Sequence, residues 1–295
     1  LMDKDTTVSN ITTSKGEITQ RFISLEKILV SKNKYLLKVI PKPLLKWFKR
    51  LICLDRVNEI IYKYREQKGV DFADSVLKEI GIKINVINPH NIPKEGRALV
   101  VSNHPLGGID GMALISEVGK YRRDILFPVN DILCQLPGLK NVFIPINKYG
   151  GNSSNHDTLN SAFASDNCMM FFPAGTESKK IDGRIQDFKW KKSFLRKAQE
   201  YKRDIVPVYV DSINSKRFYR FSAVRRFFKI EFDLEMILLP SEMFRKQGET
   251  INITFGTPIN HEVFDNRFTP IQWASKLREH VYCLKEDPNK EFEYL

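Results

Sequence analysis

The sequence predicts an α/β fold: a central mixed β-sheet flanked by helices, with an amino-terminal amphipathic helical region. Three observations predict it. From about residue 82 onward, short runs rich in Val, Ile and Phe alternate with stretches of helical apolar spacing. The 295 residues are 42% hydrophobic and 28% charged, enough apolar material for a sizeable core. Between Ile23 and Glu66 the apolar spacing is helical and interleaved with lysine and arginine.

Each element has a local reason. The first 20 or so residues are polar, rich in Thr and Ser and without periodicity, which predicts a mobile end with no signal-peptide core. Pro41 and Pro43 break the following helical pattern, since proline fits the first turn of a helix and stops what precedes it. Residues 71–80 read as a short helix ended by Gly81. Strands are expected at 82–87, 98–102, 125–129, 142–146, 168–172, 205–211 and 251–255. Helices are expected at 108–119, 157–164, 192–201 and 271–284. The texture changes at residue 82, dividing the chain into a helical, membrane-associating region 1–81 and an α/β domain 82–295. In such layered folds the site lies at the carboxyl ends of strands.

Charge narrows the partners. Forty-seven Lys and Arg against 35 Asp and Glu give a net charge of +12, a field that attracts anions. From Lys27 to Arg50 there are eight basic residues and no acidic one. There Lys38, Lys42, Lys46, Trp47, Phe48, Lys49 and Arg50 are the expected contacts with an anionic membrane surface, as in a basic helix lying in the headgroup plane. A second acid-free stretch, 215–230, mixes arginine with phenylalanine and is a second candidate contact. No apolar run approaches the roughly 20 residues of a spanning helix. Four scattered cysteines exclude a disulfide-dense scaffold and a zinc ribbon, and the histidines show no ligand spacing, so no metal is expected. No recognition module accompanies the basic residues, so nucleic acid is not an expected partner.

The sharpest local feature is Val100-Val-Ser-Asn-His-Pro-Leu-Gly-Gly-Ile-Asp-Gly111. A buried strand empties into Asn103-His104, then a turn with Gly107 and Gly108, then Asp110 on the first turn of a helix. The turn places Asp110 where it can meet His104. A carboxylate on one imidazole nitrogen fixes the tautomer and leaves the other nitrogen to take a proton from a hydroxyl. Downstream, another strand runs into Pro173-Ala174-Gly175-Thr176-Glu177-Ser178, then Lys179 and Lys180. Backbone amides of such a turn, with the Thr176 and Ser178 hydroxyls, suit a phosphate or an oxyanion. No Gly-x-Ser-x-Gly elbow is present, which argues against a serine esterase.

Together, in this order, the two segments resemble the PlsC-type glycerolipid acyltransferases, the lysophosphatidate acyltransferase superfamily. Asn103-His104 and Asp110 are similar to that family's Asn-His-x4-Asp, with one extra intervening residue. Residues 172–178, Phe-Pro-Ala-Gly-Thr-Glu-Ser, resemble its Phe-Pro-Glu-Gly-Thr-Arg-Ser, and 141–146 loosely resemble its second motif. Ile205-Val-Pro-Val208 resembles its fourth, and Asp187-Phe-Lys-Trp190 the Phe-Lys segment after the third. Ala174 and Glu177 replace a glutamate and an arginine, and the second motif lacks its arginine. That pattern resembles the hemolysin-like branch, which includes the O-acyltransferases completing ornithine or glycine lipids.

The resemblance implies a reaction. A fatty acyl chain passes from acyl carrier protein or coenzyme A, as co-substrate, to the hydroxyl of a lyso-lipid, with no bound cofactor. The expected acceptor is a 3-hydroxyacyl amino acid lipid, which has no phosphate to bind. His104 is the implied general base and Asp110 its orienting partner. Asn103, Gly107, Gly108, Pro173, Ala174, Gly175, Thr176, Ser178, Lys179 and Lys180 are the implied substrate contacts. The implied location is peripheral, on the cytoplasmic face of the inner membrane. A lysophospholipid acyltransferase and a catalytically silent lipid-binding relative are the alternatives.

Overall fold

Every run expected as a strand in the α/β part pairs into one seven-stranded sheet. The structure is a computed structural model that describes residues 10–12, 18–20, 23–24, 26, 40–130, 133–146, 153–227 and 238–294. In chain order these form β1 (Asn10–Thr12), β2 (Ile18–Gln20), α1 (Lys42–Leu51), α2 (Leu54–Lys63), α3 (Gly69–Ile80), β3 (Lys83–Ile87) and β4 (Ala98–Ser102). Then come α4 (Gly108–Val118), β5 (Ile125–Val129), β6 (Phe143–Pro145), α5 (Ser153–Ala164), β7 (Cys168–Phe171), β8 (Lys179–Ile181) and β9 (Arg184–Gln186). The chain continues as α6 (Ser193–Glu200), β10 (Asp204–Asp211), α7 (Lys216–Phe227), α8 (Leu239–Arg245), β11 (Thr250–Phe255) and α9 (Pro270–Cys283).

The strand order is β3-β11-β10-β4-β7-β5-β6. Neighbours run parallel except β10 and β11, so the sheet is mixed. β4 is central and buried along its whole length. Its residues alternate between two cores, as side chains of a strand must. Val100 packs with α3 and α4 on one face, while Leu99 and Val101 pack with α6 and α9 on the other. Burial on both faces explains why β4 reads as an unbroken apolar run.

Pro207 sits inside β10, a central strand, where a missing N–H would ordinarily break a ladder. The antiparallel pairing with β11 begins one residue later, at Val208↔Phe255. Beside Pro207 the chain turns away through Gly256, whose N–H reaches the Pro207 carbonyl at 2.8 Å. A Cβ on Gly256 would lie 3.0 Å from the proline ring and 2.9 Å from Leu284, so glycine is required there.

Arg203 ties the second core together. Its side chain is fully buried and donates to five main-chain carbonyls, those of Phe163, Ala98, Asn167, Ala162 and Ser165. Two of these carbonyls, at 162 and 163, belong to the last turn of α5 and a third, at 165, to the residue just after it, where helix carbonyls run out of intrahelical donors. Burial without a facing carboxylate lowers the guanidinium to about 10.

Three features depart from expectation. β1 and β2 pair antiparallel within the segment expected to be a mobile end. The helical pattern of 43–66 is interrupted at Cys53, which adopts a left-handed conformation (φ 53°) between α1 and α2. α7, α8 and the β8–β9 hairpin were not anticipated. α7 buries Phe218, Tyr219 and Ser222, and a serine in the inward stripe hides the helical period. Among the described residues no helix is long and apolar enough to cross a membrane.

Candidate active site

β4 and β7 are neighbours in the sheet, so the loops leaving their carboxyl ends meet. After β4 ends, Asn103 continues its ladder with a side chain. The amide donates to the Val210 carbonyl at 3.0 Å and accepts from the Val210 N–H at 2.7 Å. This clamp turns the next residue, His104, to the face that carries α4.

Gly107 then adopts φ +81°, which an L side chain resists, and starts α4. Asp110 occupies the third position of that helix. Its Oδ2 accepts from the N–H groups of Leu106 at 2.8 Å and Gly107 at 3.1 Å, which fixes the carboxylate rigidly. The same Oδ2 lies 2.9 Å from His104 Nδ1. Asp110 is fully buried, whereas the His104 side chain keeps 14% of its surface exposed. The Phe172 ring stacks on the imidazole at 3.9 Å between centroids and 17° between planes.

Burial alone would lower the His104 pKa, but the Asp110 hydrogen bond and charge outweigh it, with further help from Glu177 and Asp187. The imidazole is therefore held above its ordinary range. Burial pushes the Asp110 carboxyl up, while its bonds to His104, Leu106 and Gly107 pull against that. The pair is a buried carboxylate–imidazole couple with one ring edge open to solvent, an arrangement able to take a proton from a hydroxyl.

The other expected site residues divide. Gly175 forms the turn after β7 at φ +70°, exposed, with Lys191 Nζ 3.1 Å from where a Cβ would stand. The Thr176 hydroxyl is buried with no hydrogen-bond partner among the described residues. Gly108 faces open space. These three fit a place beside a substrate.

Several others do not. Asn103 spends its amide on β10 and is 2% exposed, so it holds the sheet rather than a substrate. Gly107 is bare because Leu239 presses on it; a Cβ there would lie 2.8 Å from a leucine methyl. Pro173 is buried, and Ala174 packs in the second core with Trp190 and Phe194. Ser178 gives its hydroxyl proton to Asp187 at 2.5 Å. Lys179 is fully buried, 3.6 Å from Glu177 and 5.1 Å over the Phe218 ring. Lys180 is exposed, its carbonyl accepting from Arg226. Except for Lys180, whose side chain is exposed, the core, the sheet or a neighbouring loop holds these residues.

Phe172 and Asp187 were passed over as site residues. Both lie in segments that motif spacing marked, and only contact geometry separates them from their neighbours. Cys168 is buried in the sheet, and burial pushes its thiol up to about 12, so it packs as an apolar side chain.

Residues 27–289 match the family model described as Acyltransferase. The chain belongs to the acyltransferase family. It is 38% identical over 264 residues to the lyso-glycine lipid O-acyltransferase of Bacteroides thetaiotaomicron, covering 89% of this chain and 97% of that one. It is 37% identical to the lyso-glycine lipid O-acyltransferase of Phocaeicola vulgatus, covering 89% and 95% respectively. Among solved structures, the 1-acyl-sn-glycerophosphate acyltransferase PlsC of Thermotoga maritima is 16% identical with a TM-score of 0.44, covering 82% of this chain and 95% of that one. This acyltransferase is therefore an enzyme of acyl transfer, and its His104–Asp110 couple stands at the end of the central strand.

The residues expected to meet a membrane surface divide as well. Lys38 lies outside the described residues. Lys42, Lys46, Trp47 and Arg50 are exposed on α1. Phe48 instead packs on Ile52 and Leu54, and Lys49 is paired with Glu26. The break at Cys53 folds α2 back under α1, so the inner edge of the amphipathic stripe finds a protein partner.

Proposed function

We propose that this enzyme acylates the hydroxyl of a lyso-glycine lipid, an N-(3-hydroxyacyl)glycine, using an acyl thioester of acyl carrier protein or coenzyme A. The observation that carries the reading is the 2.9 Å contact of His104 Nδ1 with Asp110, in a chain that spans 97% of a relative bearing that activity in its name. Asp110 keeps the ring proton on Nδ1, leaving Nε2 as the base. Nε2 takes the proton of the acceptor hydroxyl as its oxygen attacks the thioester carbonyl. The carbonyl oxygen gathers negative charge beside the Gly175–Thr176 turn. The C–S bond then breaks, the ester forms, and the imidazolium returns its proton to the leaving thiolate.

Glu177, 4% exposed, stands where phosphate-binding relatives have arginine. A carboxylate there disfavours the doubly charged phosphate of lysophosphatidate.

The acceptor is a lipid, so the enzyme is placed peripherally on the cytoplasmic face of the inner membrane, against anionic headgroups. Exposed Leu44 and Trp47 on α1, and exposed Phe221 and Val224 on α7, support this reading. So do the exposed cations Lys42, Lys46, Arg50 and Arg220 among them. Leu51, the last residue of α1, packs on Phe218 and Tyr219 of α7, so the two helices adjoin. The direct test is mass spectrometry of the product formed by purified enzyme from synthetic lyso-glycine lipid and an acyl thioester.

A further inference from the structure

Asp187 follows β9 and lies 83 residues from His104 in sequence, yet it touches every loop of the site. It is 1% exposed. Its Oδ1 accepts the His104 backbone N–H at 3.2 Å and the Ser178 hydroxyl at 2.5 Å. Its Oδ2 accepts the Trp190 indole N–H at 2.9 Å. Its own N–H donates to the Tyr282 hydroxyl at 2.8 Å, and its carbonyl accepts from Arg278 at 2.8 Å. No cation faces this carboxylate at ion-pair distance among the described residues; three neutral donors hold it.

A buried carboxylate costs folding free energy unless its lone pairs are filled; here three donors fill them, and one of the three is the backbone N–H of His104 itself. We propose that Asp187 is a positioning residue for acyl transfer: it fixes the backbone of His104 against the Gly175–Ser178 loop, so that base and oxyanion-binding turn keep one geometry. The inference rests on the reading of His104 as the base. Asp110 fixes the ring and Asp187 fixes the peptide from which the ring hangs. Without Asp187 the His104 peptide keeps its carbonyl bond to the Ser178 N–H but loses the restraint on its own N–H, and the imidazole shifts while still bonded to Asp110. A displacement of about 1 Å at a reacting centre costs about a hundredfold in rate.

The charged groups around the imidazole are Asp110 from α4, Glu177 from the turn after β7, and Asp187 after β9, all raising its pKa. Burial raises the Asp187 carboxyl against its bonds to Ser178, Trp190 and His104; in its ionised form it favours the imidazolium, and Asp187→Asn removes that contribution without opening the site to water.

The test compares Asp187→Ala and Asp187→Asn with wild type, measuring kcat, KM for lyso-glycine lipid, and the acid limb of the kcat–pH profile. Asp187→Ala is expected to lower kcat about a hundredfold with KM changed less than about threefold. Asp187→Asn keeps an acceptor for the His104 N–H and so recovers part of kcat, but its acid limb falls to lower pH as far as that of Asp187→Ala. If Asp187→Ala does not fold, Asp187→Asn carries the same test, because it preserves size and one acceptor. A folded Asp187→Asn with wild-type kcat and an unmoved acid limb overturns the proposal, and so does a lowered kcat with the limb unmoved. Turnover by His104→Ala, measured alongside, overturns instead the reading of His104 as base.

Discussion

Ser178 donates its backbone N–H to the carbonyl oxygen of His104 at 2.7 Å. The strands that lead to these residues, β7 and β4, have already ended, so the bond extends sheet pairing into the two loops. The proposed base on one loop and the proposed oxyanion-binding turn on the other are thereby held in register by the sheet. Loops carry function best when a rigid scaffold aims them, and here the scaffold reaches to within one peptide of the imidazole.

If the hydrogen-bonded His104 and Asp110 act as the proposed unit, their losses do not add. His104→Ala is expected to lower kcat/KM by about 10²–10⁴ with a normal thermal melt. Asp110→Asn falls nearly as far, and the double variant is little worse than either single one. Additive losses in steady-state assays would show that the two side chains work separately.

The pH profile follows from the raised His104 pKa. A base must be unprotonated to act, so activity falls on the acid side, and the limb lies above the ordinary histidine value of about 6.5. Asp110→Asn removes the charge that holds the proton and moves the limb to lower pH. A wild-type limb at or below the ordinary histidine range contradicts this account.

The proposed membrane docking divides between charge and apolar insertion. Replacing Lys42, Lys46 and Arg50 by Glu is expected to abolish co-sedimentation with anionic vesicles at low salt, since each nearby cation is worth about 1 kcal/mol at such a surface. Leu44→Ser with Trp47→Ser weakens binding at all salt concentrations. Unchanged sedimentation of the charge-reversed protein leaves α1 as a packing element alone.

Arg203→Met removes the guanidinium donor from five carbonyls, of which only that of Ala162 is seen to keep other donors, the Ser165 hydroxyl and N–H. Each orphaned group costs about 1–3 kcal/mol before relaxation, so the loss of stability is expected to exceed about 3 kcal/mol. Urea denaturation measures it. A change below about 1 kcal/mol would mean that the end of α5 finds other partners.

Much of the fold was legible in the sequence. β4, β7 and β10 are buried on both faces, so apolar runs bounded by loop residues marked them without ambiguity. The His104–Asp110 couple was legible because its partners lie six residues apart across a glycine turn. Elements whose order comes from distant contacts were not. α7 is anchored by Glu242, a buried residue of α8 that holds Ser215 and Arg217, and nothing local announces that network. The β8–β9 hairpin did have a local signal, Asp182-Gly183, both at positive φ (49° and 81°) between short alternating runs. Along the third motif the sequence did not say which side chains face the site, because a strand-end position does not fix the direction of a side chain. Ala174 and Lys179 point inward, and Asp187 enters from a segment whose role depends on the return of the chain through α9.

The account turns on which hydroxyl is acylated and by what base. The most direct measurement is a side-by-side assay of the purified enzyme with lyso-glycine lipid and with lysophosphatidate at equal concentration, the same acyl thioester in both, read by mass spectrometry with His104→Ala as control. The account predicts the O-acylated glycine lipid as main product, at least about tenfold faster than phosphatidate, and neither product from His104→Ala. Equal rates on both acceptors, or acylated glycine lipid formed by a folded His104→Ala protein, would contradict it.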